Sequence, residues 1–197
     1  MPLDTFWALM VFAFVASITP GPNNLMLLTS GVNFGFRRTL LHMAGILTGF
    51  VSLLLGVGFG LGALLLAFPS LELVLKIAGG GFLLYLAWRI VFSRSLGSVE
   101  EEARPIAFFQ ALAFQWINPK AWFMSATAMA VYGNADRLTN SVLVVTAGFA
   151  LVCVLAITSW TGFGQALRGF LSDPSRLKWF NIAMGVALAL TLVPMLA

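Results

Sequence analysis

Charge is scarce in this chain of 197 residues. Asp, Glu, Lys and Arg make up 9% of the sequence, whereas hydrophobic residues make up 60%. A soluble domain of this size carries about 25% charged residues. The surplus of apolar side chains needs lipid around it. The composition therefore excludes an ordinary soluble domain and predicts a polytopic membrane protein in a lipid bilayer.

Cysteine and histidine are almost absent, with one of each, Cys153 and His42. A single cysteine cannot form a disulfide or a dithiol redox pair within the chain. A divalent-cation transporter needs clustered carboxylates, histidines or thiolates, and no Asp or Glu lies in the central part of an apolar stretch. The sequence thus indicates no metal site and no cofactor. It also offers no nucleophile–base pair for an intramembrane enzyme, so we do not expect an enzyme.

Six apolar stretches are long enough to cross a bilayer. They cover about 6–30, 40–67, 71–92, 106–132, 140–163 and 178–196. We expect a single transmembrane domain over residues 1–197, with a first repeat at about 1–92, a loop at 93–105 that contains Glu100–Glu102, and a second repeat at about 106–197. Because each half has three spans, the two repeats must be inverted. The predicted fold class is all-α, with six transmembrane helices in two inverted three-helix repeats.

Lys and Arg collect on one side of these spans. Loops 1–2, 3–4 and 5–6 with their helix ends carry Arg37, Arg38, Arg89, Arg94, Arg104, Arg168, Arg176 and Lys178, and the opposite side carries only Lys76 and Arg137. The basic side of short loops faces the cytoplasm, so both termini are predicted to be non-cytoplasmic. The cations are scattered at helix ends, so the net charge of +4 does not indicate a nucleic-acid partner.

Prolines interrupt the first and the fourth stretch near their midpoints. The first interruption is TPGPNN at 19–24 and the second is INPK at 117–120. Proline lacks the amide hydrogen and clashes with the carbonyl one turn back, so spans 1 and 4 are each predicted as two half-helices. Paired interruptions of this kind indicate the midplane substrate site of a transporter. The candidate substrate-binding residues are Pro20, Gly21, Pro22, Asn23, Asn24, Gln115, Trp116, Asn118, Pro119 and Lys120.

The two ends of each break favour opposite charges. The N-termini of the outgoing half-helices present free N–H groups, which attract a carboxylate, and Lys120 strengthens that preference. The incoming half-helices end in free carbonyls around Ile18, Thr19 and Trp116, which can accept hydrogen bonds from an ammonium. A ligand with a carboxylate at one end and an ammonium at the other is an amino-acid zwitterion. No buried carboxylate is available to a cationic side chain, so a neutral amino acid fits better.

Lys120 has two interpretations. It lies about 13 residues from either end of span 4, or about 20 Å along the helix, too far for its stem to reach the membrane surface. An ionisable group at this depth is by default a contact for substrate or coupling ion, and we hypothesise that Lys120 exchanges its proton during transport. The alternative is a structural lysine bonded to the carbonyls that the kink frees. Asn23, Asn24 and Asn118 also have two interpretations, as substrate ligands or as helix caps. Gln115 and Trp116 face either a pocket or lipid.

Two other features have simpler interpretations. Small residues recur every three or four positions in span 2, at Gly45, Gly49, Ser52, Gly56 and Gly60, which predicts close helix packing. Trp88, Trp160 and Trp179 lie near span ends, where indoles anchor at the headgroups.

The function classes that remain are a gated transporter and a passive pore or non-transporting membrane scaffold. A pore needs a polar stripe along several spans, whereas the polar residues here concentrate at the two breaks. This distribution favours a transporter that works by alternating access.

These residues also resemble a known family. The stretch ITPGPNNLMLLTSGVNFG at 18–35, followed by Arg37-Arg38 and Gly45, is similar to the LysE/RhtB family of amino-acid exporters, as are YLAWR at 85–89 and NPK at 118–120. The resemblance covers essentially the whole chain. It implies a multi-pass secondary exporter of the bacterial inner membrane, driven by the proton gradient and acting as a homodimer. It also points to the neutral branch, which handles homoserine, threonine, leucine, cysteine or O-acetylserine.

Overall fold

The computed structural model describes residues 1–62, 69–93 and 104–193, and these residues are helical with no strand. Most of the predicted loop at 93–105, including Arg94 and Glu100–Glu102, lies outside the described residues. The eight α-helices are α1 Leu3–Ile18, α2 Pro22–Phe34, α3 Phe36–Gly56, α4 Pro69–Phe92, α5 Phe108–Ile117, α6 Pro119–Tyr132, α7 Leu138–Leu167 and α8 Pro174–Leu190. A π-helical turn at Val57–Leu61 extends α3, and 3₁₀ turns lie at Ala135–Arg137 and Phe170–Ser172.

Within the described ranges, three helices are long and apolar enough to cross a membrane, and the count rises to four if the bent pair α1–α2 is one span. The long ones are Phe36–Leu61, Leu73–Phe92 and Ala135–Leu167. Helix α5 has only 10 residues, α6 has 14 and α8 has 17, so none of these is an independent span by length. The described chain is thus an all-helical membrane protein, and the six-span arrangement stays a prediction.

Proline sets the starts of α2, α6 and α8. Each helix has proline at its first position, where no amide hydrogen is needed. Asn118 caps α6 by accepting a hydrogen bond from the Lys120 amide at 3.1 Å, and Asp173 caps α8 in the same way through Arg176. Helices α1 and α2 meet at 56° across residues 19–21. Helices α5 and α6 are separated by Asn118 alone, whose backbone is extended.

Glycines bring helix backbones together at two crossings. A Cβ at Gly45 would collide with the Phe108 carbonyl, and one at Gly49 would lie 2.5 Å from the Leu112 carbonyl, so α3 packs directly on α5. This confirms the close packing predicted for these two glycines. At the second crossing, Gly164 of α7 faces the backbone of α2.

Gly60 does not fit the packing prediction. A Cβ there would have nothing within 4 Å among the described residues, so none of these neighbours requires a small residue. Its φ is +113°, in the region that glycine adopts far more readily than other residues, and it lies inside the π-helical turn. The glycine at this position therefore serves backbone conformation.

Helix α7 lies at the centre of the larger core and contacts α1, α2 and α3. Phe149 of α7 stacks edge-on with Phe12 of α1 and with Phe50 of α3, at centroid distances of 5.9 Å. A second cluster joins α2, α4, α5 and α8 around Phe114. The outer surface carries exposed apolar side chains such as Trp7, Ile77 and Phe123, which suits contact with lipid.

Candidate functional site

Lys120 joins the two interruptions of the helix pattern. Its ammonium donates hydrogen bonds to the Thr19 carbonyl at 2.8 Å, to Thr19 Oγ1 at 3.0 Å and to the Pro20 carbonyl at 3.4 Å. Gly21 allows this approach, because a Cβ there would lie 2.9 Å from Lys120 Cδ and 3.0 Å from Nζ. A cation from the start of α6 thus occupies the carbonyl end of α1. This is the contact that the structural interpretation of Lys120 expects, although it is made to the other half of the chain.

Asn23 and Gln115 form a second link between the halves. The Asn23 amide donates to Gln115 Oε1 at 2.8 Å, and the Gln115 amide donates back to Asn23 Oδ1 at 3.0 Å. Gln115 is fully buried and also donates to the Ala111 carbonyl at 3.0 Å. Buried amides need partners of this kind, so the pair holds the start of α2 against α5.

The carbonyls freed at the first break already have donors. Asn24, which is buried, donates to the carbonyls of Ser17 and Thr19, both at 2.8 Å. The Trp160 indole donates to the Ile18 carbonyl at 3.1 Å. The expectation that these carbonyls are free for a substrate ammonium is therefore wrong for this conformation. The headgroup role expected for Trp160 is also wrong, because its polar atom faces the break.

The carbonyl freed at the second break is satisfied as well. Trp116 accepts a hydrogen bond at its carbonyl from the Trp122 indole at 2.7 Å, and its own indole donates to Ser52 at 3.2 Å. Trp116 is half-buried against α3. This residue therefore contributes to the contact between α5 and α3.

The N-termini at the two breaks differ. Asn118 caps α6, so one of its free amides is satisfied. In the part of the chain that the structure describes, no side chain caps α2, whose first residues are Pro22, Asn23 and Asn24. An uncapped N-terminus with its partial positive charge is the better place for a carboxylate. Of the two helix starts, α2 is thus the one suited to an anion.

A cavity of about 40 Å³ lies between the breaks. One water needs about 10–15 Å³, so the cavity has room for a few waters and not for an amino acid. Seven of the candidate residues line it: Gly21, Pro22, Asn23, Asn24, Gln115, Asn118 and Lys120. Pro20, Pro119 and Trp116 do not.

Sequence patterns did not identify the apolar part of the wall. Phe50 of α3, Met124 of α6 and Cys153 of α7 line the cavity, and all three are buried. No local motif marks them, because they look like any apolar residue of a membrane helix. Ser17 also lines the cavity, and its hydroxyl has no hydrogen-bond partner among the described residues. A serine two residues before a predicted break is the one signal that could have indicated its place.

Among the described residues that line the cavity, Lys120 is the only charged one, and none is Asp or Glu. Within the described ranges, no group of three or more His, Cys, Asp and Glu side chains could hold a metal ion. The site offers one cation, three asparagines, one glutamine and an apolar wall. Such a set can bind a small polar molecule through hydrogen bonds, with the carboxylate as the charge that Lys120 and the start of α2 would attract.

The amide pair predicts non-additive effects of mutation. Gln115→Leu or Asn23→Leu alone leaves one amide without its partner, which costs about 1–3 kcal/mol when the group is buried. The double variant leaves no amide of the pair without a partner. We therefore expect its melting temperature in detergent to fall by less than the sum of the two single decreases. Gln110→Leu on the exposed face of α5 is the control. It removes only the hydrogen bond that Gln110 Oε1 accepts from the Ala107 amide at 3.1 Å, where water can replace the lost partner, so it should lower the melting temperature less than Gln115→Leu. Strictly additive losses would show that the pair does not couple α2 to α5.

Known proteins match the chain over nearly its whole length. The LysE type translocator family matches residues 14–194. A protein of Salmonella choleraesuis (strain SC-B67) named cysteine/O-acetylserine efflux protein is 28% identical over 98% of this chain and 94% of its own length. Proteins of the same name are 28% identical in Escherichia coli (strain K12) and 31% identical in Escherichia coli O139:H28 (strain E24377A / ETEC), each over 97% of this chain and 93% of the relative.

No solved structure matches this chain. The family match nevertheless spans both breaks and all the residues of the cavity. The resemblance noted in the TPGPN segment is therefore confirmed, and the chain belongs to the family of LysE type translocators.

Proposed function

We propose that this protein is a secondary active exporter of small neutral amino acids or related metabolites. Family members are translocators, so the chain is a transporter and not an enzyme, as the sequence indicated. Its apolar helices make it a multi-pass protein of the bacterial inner membrane. The relatives named as cysteine/O-acetylserine efflux proteins support export as the direction, and cysteine and O-acetylserine are the first substrates to test.

The contact of Lys120 with the carbonyls of Thr19 and Pro20 is the observation that carries the mechanism. A tethered ammonium holds the carbonyl end of the first break, which is the place expected for the ammonium of an amino acid. We infer that substrate competes with Lys120 for these carbonyls. Its carboxylate would lie at the uncapped start of α2, and its ammonium would displace the lysine.

Proton coupling is part of this proposal. Lys120 loses its carbonyl partners when substrate takes them, and an ammonium left without partners at this depth favours release of its proton. The proton would return when the substrate leaves and the lysine closes on Thr19 again. One proton per cycle is the simplest stoichiometry that this exchange allows.

Alternating access fits the volume of the cavity. At about 40 Å³ it cannot hold an amino acid, so the helices must separate before substrate binds. We propose that the pair α1–α2 and the pair α5–α6 are the broken spans of two inverted three-helix repeats, with α8 as the sixth span. Rocking of the repeats about the Lys120 and Gln115 contacts would open the site to one side at a time.

The orientation and assembly in this proposal follow from the sequence. The basic loops would face the cytoplasm, which leaves both termini on the other side. The resemblance to the family supports a homodimer. The apolar wall of Phe50, Met124 and Cys153 suits a small neutral side chain, and no carboxylate in the lining could balance a cationic one.

Efflux from cells tests the function directly. Cells that overexpress the protein are loaded with dipeptides, and all amino acids are measured outside. We expect selective release of a few small neutral amino acids, with cysteine among them, and loss of that release when a protonophore collapses the gradient. Release of no amino acid would contradict the exporter and favour a membrane scaffold, and release that persists without a gradient down to equal concentrations would favour a passive pore.

Cys153 provides a second test, because it is the only cysteine of the chain and lines the cavity. We expect saturating O-acetylserine, which has no thiol to consume the reagent, to change the rate of Cys153 alkylation by N-ethylmaleimide at least about two-fold, since the wall must move to admit a ligand. Cys153→Ala is the control for labelling elsewhere and should still transport. A labelling rate that substrate leaves unchanged would contradict a site between the breaks.

A further inference from the structure

A second and larger cavity lies at the other end of α2. Its volume is about 340 Å³, against about 40 Å³ for the cavity between the breaks. Its polar lining comprises Thr29, Ser30, Asn33, Arg89, Ser93 and Arg104. Asn33 is 10 residues beyond Asn23 on the same helix, which places the two cavities about 15 Å apart along α2.

Two arginines, Arg89 and Arg104, contribute positive charge to this wall. Arg89 lies in the last turn of α4, and its guanidinium lies 5.9 Å from the centre of the Tyr85 ring. Arg104 precedes α5 and is exposed. Within the described part of the chain, neither arginine forms an ion pair with a carboxylate. Arginine binds carboxylates with two parallel hydrogen bonds, so this wall suits the carboxylate of a ligand.

Asn33 gives this wall a place that favours a cation. Asn33 is 2% exposed, and its Oδ1 has no hydrogen-bond partner among the described residues. Its amide nitrogen is already used by the Thr29 carbonyl at 2.9 Å and by Asn181 Oδ1 at 3.3 Å, so the oxygen is the atom left for a ligand. Asn33 also lies in the last turn of α2, where the helix dipole attracts positive charge. An ammonium meets both requirements.

We propose that this cavity is a second binding site for a small zwitterionic amino acid, with its carboxylate on Arg89 and Arg104 and its ammonium on Asn33. The cavity is on the side of the basic loops, so it would load substrate from the cytoplasm before transfer along α2 to the breaks. This inference rests on the proposed export of amino acids. It assigns Arg89 and Arg104 to substrate capture, in addition to their role in membrane orientation.

The test measures binding and transport in the same variants of the full chain. Radiolabelled L-cysteine with a phosphine reductant is the probe for equilibrium binding to the detergent-purified protein. We expect Arg104→Gln and Arg89→Gln each to raise the Kd at least about ten-fold, and Arg104→Lys to restore part of the affinity. Arg137→Gln, at an exposed arginine on the opposite side, is the control and should leave the Kd unchanged.

Two analogues test which residues bind the carboxylate of the ligand and which bind its ammonium. Cysteamine lacks the carboxylate and 3-mercaptopropionate lacks the ammonium, so each should compete with cysteine more weakly than unlabelled cysteine does. The Arg104→Gln variant should bind 3-mercaptopropionate more weakly than the parent protein does, as it should for cysteine. The affinity for cysteamine should be nearly the same in Arg104→Gln and in the parent protein, because cysteamine offers the guanidinium no carboxylate to bind.

Efflux assays separate this inference from the proposed function. We expect the arginine variants to raise the KM for cysteine export with little change in maximal rate. A parent protein that exports cysteine while both variants keep the parent Kd and KM would overturn the second site and leave the exporter intact. A parent that binds cysteine in an arginine-dependent way without exporting it would support the site and overturn the exporter. Absence of both binding and export would overturn both.

Discussion

Replacing Lys120 with methionine should reduce the initial rate of amino-acid efflux by about ten- to a hundred-fold. Methionine keeps much of the length of the lysine stem and removes its three hydrogen bonds to Thr19 and Pro20. In the proposed cycle these bonds close the site again after substrate leaves, so their loss should slow that step. Hydrogen bonds from a charged donor are worth about 1.5–3 kcal/mol, and each 1.4 kcal/mol is a factor of ten. The Thr19 carbonyl would keep only Asn24 as its donor. Efflux per molecule of membrane protein is the measurement.

Lys178→Met is the matched control, because Lys178 is exposed near the start of α8, where its ammonium lies 5.9 Å from the centre of the Trp179 ring. We expect it to transport like the parent. Lys120→Arg keeps the charge and should keep part of the activity. Efflux by Lys120→Met at the parent rate would remove the lysine from the mechanism.

The structural and the proton-carrying interpretations of Lys120 predict different results. If the lysine only holds the carbonyls, the loss of efflux should follow the loss of thermal stability in detergent. If it carries the proton, Lys120→Gln should fold and bind substrate while an imposed pH gradient no longer drives export. Lys120→Gln that is still driven by the gradient would exclude the proton role.

Gly164→Ala should lower the apparent melting temperature in detergent by about 5 °C and reduce the amount of protein in the membrane. A Cβ at Gly164 would collide with the Leu28 carbonyl and lie 3.1 Å from the Gly31 Cα. Both are backbone atoms, so α2 and α7 must move apart as whole helices. Overpacking costs about 1–3 kcal/mol, and 1 kcal/mol corresponds to about 2–4 °C in a chain of this length.

Gly162→Ala is the control, two residues earlier on the same helix. A Cβ there has nothing within 4 Å, and alanine is the better helix former, so its melting temperature should equal or exceed the parent value. Equal destabilisation by both variants would show that glycine itself, and not the crossing with α2, matters on this helix.

Local chemistry explains why some features could be predicted. Pro22 and Pro119 each start a helix, and Asn118 caps α6, because a missing amide hydrogen and a nearby side-chain oxygen act within three residues. Gly45 and Gly49 indicated close packing because small residues on one helix face leave room for a neighbouring helix. Gly60 followed the same spacing and has a different role, because the spacing does not reveal backbone conformation.

Long-range contacts explain what could not be predicted. Trp160 looks like a headgroup anchor in the sequence, yet it donates to Ile18, which lies 142 residues earlier. Lys120 meets Thr19 across 101 residues, and Asn23 meets Gln115 across 92. The sequence indicated that these groups need partners at the breaks. It could not say which donor meets which carbonyl.

The sequence by itself determined that the protein is an all-helical membrane protein of the LysE type translocator family, with prolines at the starts of α2 and α6. Composition, proline and capping act locally, so they can be read without knowing the fold. The tertiary structure decided that Lys120 closes the opposite break, that the site between the breaks is too small for substrate in this conformation, and that a larger cavity lies at the far end of α2. These outcomes depend on how the helices cross, because buried polar groups bond to whichever partner the packing brings within about 3 Å.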